Sequence, residues 1–177
     1  MNYSVIKTFD IADGPGCRTT LFVSGCRNHC EGCFQSETWD FNFGRPFTRE
    51  TQDELFGTLE MPYTQGLTLL GGDPMEPENQ EALVPFLRLF REKFGDTKDI
   101  WAYTGYVLER DLAPGGRRHT PVTDEFLSMI DVLVDGPFVQ AKKDITLLFR
   151  GSSNQRLIDM KKTRERGEAV LWEEVPK

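Results

Sequence analysis

Short β-rich apolar runs alternate along the chain with stretches whose apolar positions recur every three or four residues. Thr19-Thr20-Leu21-Phe22-Val23-Ser24 reads as a strand, since β-branched and aromatic residues suit a pleated, buried surface. Thr48 stands where a helix cap belongs, before residues 49–59, in which Gln52, Leu55, Phe56 and Leu59 fall on one face. Leu67-Thr68-Leu69-Leu70 is a second strand that ends in Gly71-Gly72. Residues 78–94 form the longest periodic stretch, with Leu83, Phe86, Leu87, Phe90 and Phe94 on one side and Gly95 as its stop. Pro85 inside it removes one backbone hydrogen bond and predicts a kink or a late start.

Asp99-Ile100-Trp101-Ala102-Tyr103 is a third strand, followed by Thr104-Gly105 and a short helical segment. Thr123 is the expected cap of a helix over residues 124–130, and Asp131-Val132-Leu133-Val134-Asp135 is a fourth strand. Residues 156–159 and 169–172 read as late strands. Strands separated by helices imply a mainly parallel sheet with right-handed crossovers. A closed eight-stranded barrel usually needs about 200 residues or more, so an α/β open partial (β/α) barrel is the expected fold. No repeat, low-complexity tract or linker divides residues 1–177, which are expected to form a single domain.

Composition narrows the function classes. The chain is 38% hydrophobic and 28% charged with net charge −7, which argues against a general nucleic-acid binder. The basic residues of 115–119 and 161–166 read as solvated loops or, failing that, as a patch for an acidic partner. The first residues lack the long apolar core of a signal peptide and no run has the length of a membrane span. A cytoplasmic protein without membrane contact is therefore expected.

The chemistry is concentrated in Cys26-Arg-Asn-His-Cys30-Glu-Gly-Cys33, which holds three of the four cysteines. A structural zinc site closes four ligands, and a cubane iron–sulfur cluster commonly takes four cysteines. Three thiolates on one loop fit a [4Fe-4S] cluster with one iron left open for a small molecule. His29 or Cys17 would instead complete a zinc site, and that alternative stands on cysteine spacing alone. A disulfide framework does not fit a chain of this length and low cysteine usage. In open α/β sheets ligands bind beyond the carboxyl ends of the strands. The cysteine loop, Gly71-Gly72-Asp73-Pro74, Thr104-Gly105 and Asp135-Gly136 each follow a strand. Alone, Gly71-Gly72-Asp73-Pro74 is a tight turn capped by Asp73 and answered by Glu76. One crossover after a three-cysteine loop, it reads as bare backbone that a ligand approaches.

Together the cysteine loop and the Gly-Gly-acidic-Pro segment resemble the radical S-adenosylmethionine enzymes, and within them the anaerobic ribonucleoside-triphosphate reductase activating proteins. The resemblance extends through Asp10-Ile11-Ala12-Asp13-Gly14-Pro15-Gly16, Thr38-Trp39-Asp40, Tyr103-Thr104-Gly105-Tyr106, residues 131–138 and Phe149-Arg150-Gly151-Ser152-Ser153-Asn154-Gln155-Arg156. That last stretch is associated with the activase group. Gly32 stands where many radical enzymes carry an aromatic residue, and Cys17 where the family has an aliphatic one. The resemblance implies cluster ligation by Cys26, Cys30 and Cys33, with the cluster at the C-terminal ends of the strands.

It also implies a cofactor site in which the backbone of Gly32, Cys33 and Phe34 lies along the adenine and Gly71, Gly72 and Asp73 hold the methionine end. Thr104 and Asp135 are implied as ribose or outer contacts, and no catalytic residue is implied beyond the cluster and cofactor ligands. The implied reaction is reductive cleavage of S-adenosylmethionine to a 5′-deoxyadenosyl radical, which installs a glycyl radical on the large subunit of an anaerobic ribonucleotide reductase. A donor such as flavodoxin would supply the electron, and the implied assembly is a homodimer or a heterotetramer with the reductase. Activation of a formate-lyase type enzyme, a small-molecule radical S-adenosylmethionine enzyme and a zinc-stabilised interaction module are the other readings. Residues 151–155 separate the first two from the activase group.

Overall fold

The computed structural model describes residues 1–173. Its centre is a parallel set of four strands: β2 (Cys17–Val23), β4 (Thr64–Gly71), β5 (Asp99–Tyr103) and β6 (Val132–Asp135). Pairing joins Val23 to Gly71, Leu69 to Ala102 and Tyr103 to Val134, so all four strands end on one side. β2 and β6 are almost wholly buried, as expected for central parallel strands covered on both faces.

Three antiparallel strands complete a seven-stranded sheet in the order β3-β1-β2-β4-β5-β6-β7. They are β1 (Asn2–Asp10), β3 (Arg45–Pro46) and β7 (Arg156–Asp159). The sheet is open, and it is this open form rather than a barrel that the strands make, since β3 and β7 stand as separate edges. β1 is not apparent in the sequence because Val5 and Phe9, two of its apolar β-formers, point to solvent and spoil the alternation. Of the two late strands expected, residues 156–159 form β7, while the second reaches the sheet only through one bridge from Leu171 to Ile158.

Helices α1 (Arg49–Leu59), α2 (Pro77–Phe94) and α3 (Thr123–Met129) make the crossovers, and α4 (Met160–Arg166) follows β7. Thr48 caps α1 as the sequence predicts, with its hydroxyl accepting from Thr51 N–H. α2 begins at Pro77 and passes through Pro85 without interruption, so the proline neither delays nor ends it. Thr123 does not cap α3. It is the first helical residue, and its hydroxyl donates to Gln80 Oε1 at 2.6 Å.

The larger core lies between sheet and helices, where Leu83, Phe86, Leu87 and Phe90 of α2 meet Leu67, Leu69 and Ile100. A smaller cluster of Trp101, Val132, Val134 and Leu157 occupies the opposite face, closed by Phe149 and Trp172. Helices on one face and a thin cover on the other leave room for a cavity.

Candidate cluster and cofactor site

The cysteine loop leaves β2 through buried Ser24 and Gly25. Gly25 has φ +101, and the Phe41 ring lies where its Cβ would be. The loop is tied down where Gly25 N–H donates to Thr38 O at 2.8 Å and Cys26 N–H to Trp39 O at 3.2 Å. His29 takes a left-handed φ of 46 and stacks on Trp39 with ring centroids 4.5 Å apart. Phe41 packs on the loop beneath the Arg27 guanidinium, 4.3 Å away. Cys26, Cys30 and Cys33 all line one cavity of about 400 Å³, together with Gly71, Gly72 and Asp73. That volume suits a small organic ligand. Cys17 begins β2, at the far end of the strand from the loop.

Burial pushes the Cys26 thiol up to about 12, helped by the nearby Asp73 carboxylate, while Asn28 and His29 N–H groups pull the other way. The Cys30 thiol is also raised by burial, opposed by the Phe138 N–H. A metal must therefore displace these protons to bind. Backbone N–H groups aimed at the sulfurs are then in place to stabilise the thiolates. Among the described residues no three His, Cys, Asp or Glu side chains gather closely enough to hold a single metal ion. The three thiols face one cavity. Soft donors in that arrangement fit a polynuclear iron–sulfur cluster, which takes one thiolate per iron.

The Gly71-Gly72 wall has a reason other than ligand approach. A Cβ on Gly71 would lie 2.5 Å from Val23 O, and one on Gly72 would lie 2.6 Å from Gly25 O. These glycines let the end of β4 close against the root of the cysteine loop, and Gly72 N–H donates to Val23 O at 2.7 Å. Gly72→Val is accordingly expected to push Gly25 and Cys26 out of place, at a cost of about 3 kcal/mol typical of overpacking. Iron per chain and Tm should fall together. A variant that keeps its full iron and loses only cofactor binding would contradict this reading.

Asp73 is buried and its carboxylate is fully engaged. It accepts from Met75 N–H at 2.9 Å, Thr104 Oγ1 at 2.8 Å, Gly105 N–H at 2.9 Å and Asn28 Nδ2 at 3.2 Å. Burial pushes it up to about 7 against these donors. Asp73 thus laces the ends of β4 and β5 to the cysteine loop and is not the cap of α2, which is Glu76. The Thr104 hydroxyl is spent on Asp73. Asp135 is not on the cavity wall: Arg156 grips it at 2.8 and 2.5 Å, and Leu108 N–H donates to it at 2.9 Å. Phe34 lines the cavity yet is 81% exposed, and Gly32 (φ +75) sits against the Gln140 side chain.

Sequence reasoning gave Glu76 only a capping role. It is a fully buried carboxylate that accepts from Arg27 N–H at 2.8 Å, Arg27 Nη1 at 2.6 Å and Tyr106 Oη at 2.5 Å, with Arg118 Nε at 3.5 Å. Its isolated place in Gly71-Gly72-Asp73-Pro74-Met75-Glu76 offers no signal of partners 30 and 49 residues away. Asn79 is similar, donating from α2 to Ser24 O and Asp73 O at 3.0 and 2.9 Å.

Comparison with known proteins points to iron–sulfur chemistry. A family model described as a 4Fe-4S single cluster domain matches residues 12–158. The chain is 41% identical over 157 residues to the anaerobic ribonucleoside-triphosphate reductase-activating protein of Escherichia coli (strain K12), covering 88% of this chain and 96% of that one. The protein of that name from Salmonella typhi is 42% identical over 158 residues, with coverages of 88% and 96%. Its namesake from Enterobacteria phage T4 is 41% identical over 157 residues, with coverages of 89% and 93%.

Proposed function

Because the chain belongs to the family of anaerobic ribonucleoside-triphosphate reductase-activating proteins, we propose that it installs a glycyl radical on the large subunit of such a reductase. The cofactors are a [4Fe-4S] cluster and S-adenosylmethionine. When bound, they supply one-electron cleavage of the C5′–S bond to methionine and a 5′-deoxyadenosyl radical, which takes a Cα hydrogen from one glycine of the partner. Residues 1–177 act as one radical S-adenosylmethionine domain in this reading, with the cluster at the C-terminal ends of β2, β4, β5 and β6. The protein works in the cytoplasm, takes its electron from a donor such as flavodoxin, and pairs with itself or with the reductase. Among the described residues no helix is long and apolar enough to cross a membrane.

One observation carries the reading. Three of the four cysteines in the matched region, Cys26, Cys30 and Cys33, front a shared cavity, and the fourth, Cys17, lies at the other end of β2. Cys26, Cys30 and Cys33 would hold the cluster, leaving one iron for the cofactor. The Gly32, Cys33 and Phe34 backbone and the Gly71-Gly72 wall would flank the nucleoside and amino-acid ends. Asp73 and Thr104 keep those walls in register, and Asp135 ties the end of β6 to β7 through Arg156. Positioning and exclusion of water are what the protein adds to chemistry that belongs to the cofactors.

The test is to mix anaerobically reconstituted protein, a reductant, S-adenosylmethionine and the reductase, then record electron paramagnetic resonance. A glycyl doublet with accompanying 5′-deoxyadenosine is the expected result. Colourless protein with stoichiometric zinc, and no doublet, would overturn the assignment.

A further inference from the structure

Residues 151–155 make a turn with more internal hydrogen bonds than a simple connection needs. Gln155 Oε1 accepts from Gly151 and Ser152 N–H at 2.9 and 3.0 Å, and its Nε2 donates to Gly136 O at 3.2 Å. Asn154 Nδ2 donates to Pro137 O at 2.8 Å, and Ser152 Oγ accepts from Val139 N–H at 3.2 Å. The turn fixes the base of a projecting loop over residues 143–152. That base is closed by a bridge between Lys143 and Ser152 and by Asp144 N–H donating to Gly151 O at 3.2 Å.

Phe149 holds the returning limb in a left-handed φ of 55, a strained choice for an aromatic residue. Its ring pins it there, edge-on to Trp101 at 5.4 Å and to Trp172 at 6.3 Å. A loop anchored this firmly presents bare apolar side chains at its far end: Ile145 is 90% exposed and Leu148 is 55% exposed. Ile145 lines the mouth of the cysteine cavity, as does Phe34 from the cysteine loop. Ile11, 77% exposed, precedes Ala12 and Asp13 on the same cavity wall. Scattered exposed apolar residues are ordinary, but several around one opening mark an interaction surface.

We propose that loop 143–152 is the recognition element for the reductase subunit that carries the target glycine, with Ile145 and Leu148 seated on an apolar surface of that subunit beside the cavity mouth. This rests on the proposed function, which fixes the occupant: the atom attacked is a backbone Cα of another protein, so that backbone must reach this cavity and meets its rim first. An electron carrier would be recognised mainly by charge, which the loop tip lacks. Gln155 is a positioning residue, setting the loop through its bonds to Gly151, Ser152 and Gly136.

The test uses the full chain with its cluster. Ile145→Asp/Leu148→Asp should keep its iron, and Leu148→Asp alone, off the cavity lining, should also keep its reductase-free cleavage of S-adenosylmethionine with dithionite. The double variant's affinity for the reductase, measured by calorimetry, should fall by roughly tenfold or more, as for loss of two anchor residues. The glycyl-radical yield should recover as reductase concentration is raised. Gln155→Ala should show the same weakening together with new proteolytic cleavage inside residues 143–150. A photo-crosslinking amino acid at position 145 should label the glycine-bearing subunit. Unchanged affinity of the double variant, or crosslinks to a second copy of this chain, would overturn the proposal. Absence of dithionite-driven cleavage in the unaltered protein would strike instead at the proposed function.

Discussion

Alanine at Cys26, Cys30 or Cys33 is expected to abolish cluster assembly, while alanine at Cys17 leaves it intact. Each triad residue fronts the same cavity, and a cubane held by three thiolates has no spare donor to replace one that is lost. Cys17 lies at the start of β2 and pairs with Thr64, about 20 Å of extended chain from the loop at a rise of ~3.3 Å per residue. Anaerobic reconstitution followed by iron counting and absorbance near ~400 nm checks both halves. Full iron loading in any triad variant would defeat the ligand assignment. A brown colour lost on Cys17→Ala would mean that the strand does not separate the two sites as the structure has it.

The second large effect is expected at Glu76. Glu76→Ala leaves the Arg27 backbone N–H, the Arg27 guanidinium and the Tyr106 hydroxyl without their shared acceptor and removes the charge facing Arg118. Breaking a buried charge pair from one side costs about 3–5 kcal/mol. Arg27 is partly exposed and retains Glu78 at 2.5 Å, which favours the lower end. At ~2–4 °C per kcal/mol for a chain of this size, Tm should fall by roughly 10 °C. Because Arg27 follows Cys26 directly, iron content should fall as well. Glu76→Gln keeps the shape and one acceptor oxygen, so it should recover part of the loss. A Glu76→Ala protein that melts within a couple of degrees of the original and loads its full iron would show that the network is incidental.

Both predictions trace back to the way the cysteine loop is held, and they differ in how visible that was beforehand. The triad spacing is local: three thiols within eight residues of one loop can meet one cluster in almost any fold. α1, α2, β4 and β5 are equally local, since periodicity, a Thr cap and a Gly stop act over a few residues. The parallel order of the central strands follows from the helices between them. β1 was hidden because Val5 and Phe9 on its outward face are apolar, which blurs the alternation.

Asp73 and Asp135 show the harder case. Both stand at strand ends, as cofactor-binding carboxylates often do, and the resemblance implies a methionine-end contact for Asp73 and a ribose or outer contact for Asp135. In the fold Asp73 is consumed by donors from three segments, and Asp135 by Arg156, 21 residues on. Residues 151–155 give the reverse lesson. Their polar string marks the family but not a duty, and only their bonds back to residues 136–139 reveal that they set a loop.

The sequence by itself determined the cysteine triad and its spacing, the parallel α/β plan and the family, because each depends on residue type and short spacing. The tertiary structure decided which polar groups remain available to a ligand. A buried carboxylate must be satisfied by whichever donors the fold brings to it, and those donors come from distant strands that no local pattern specifies.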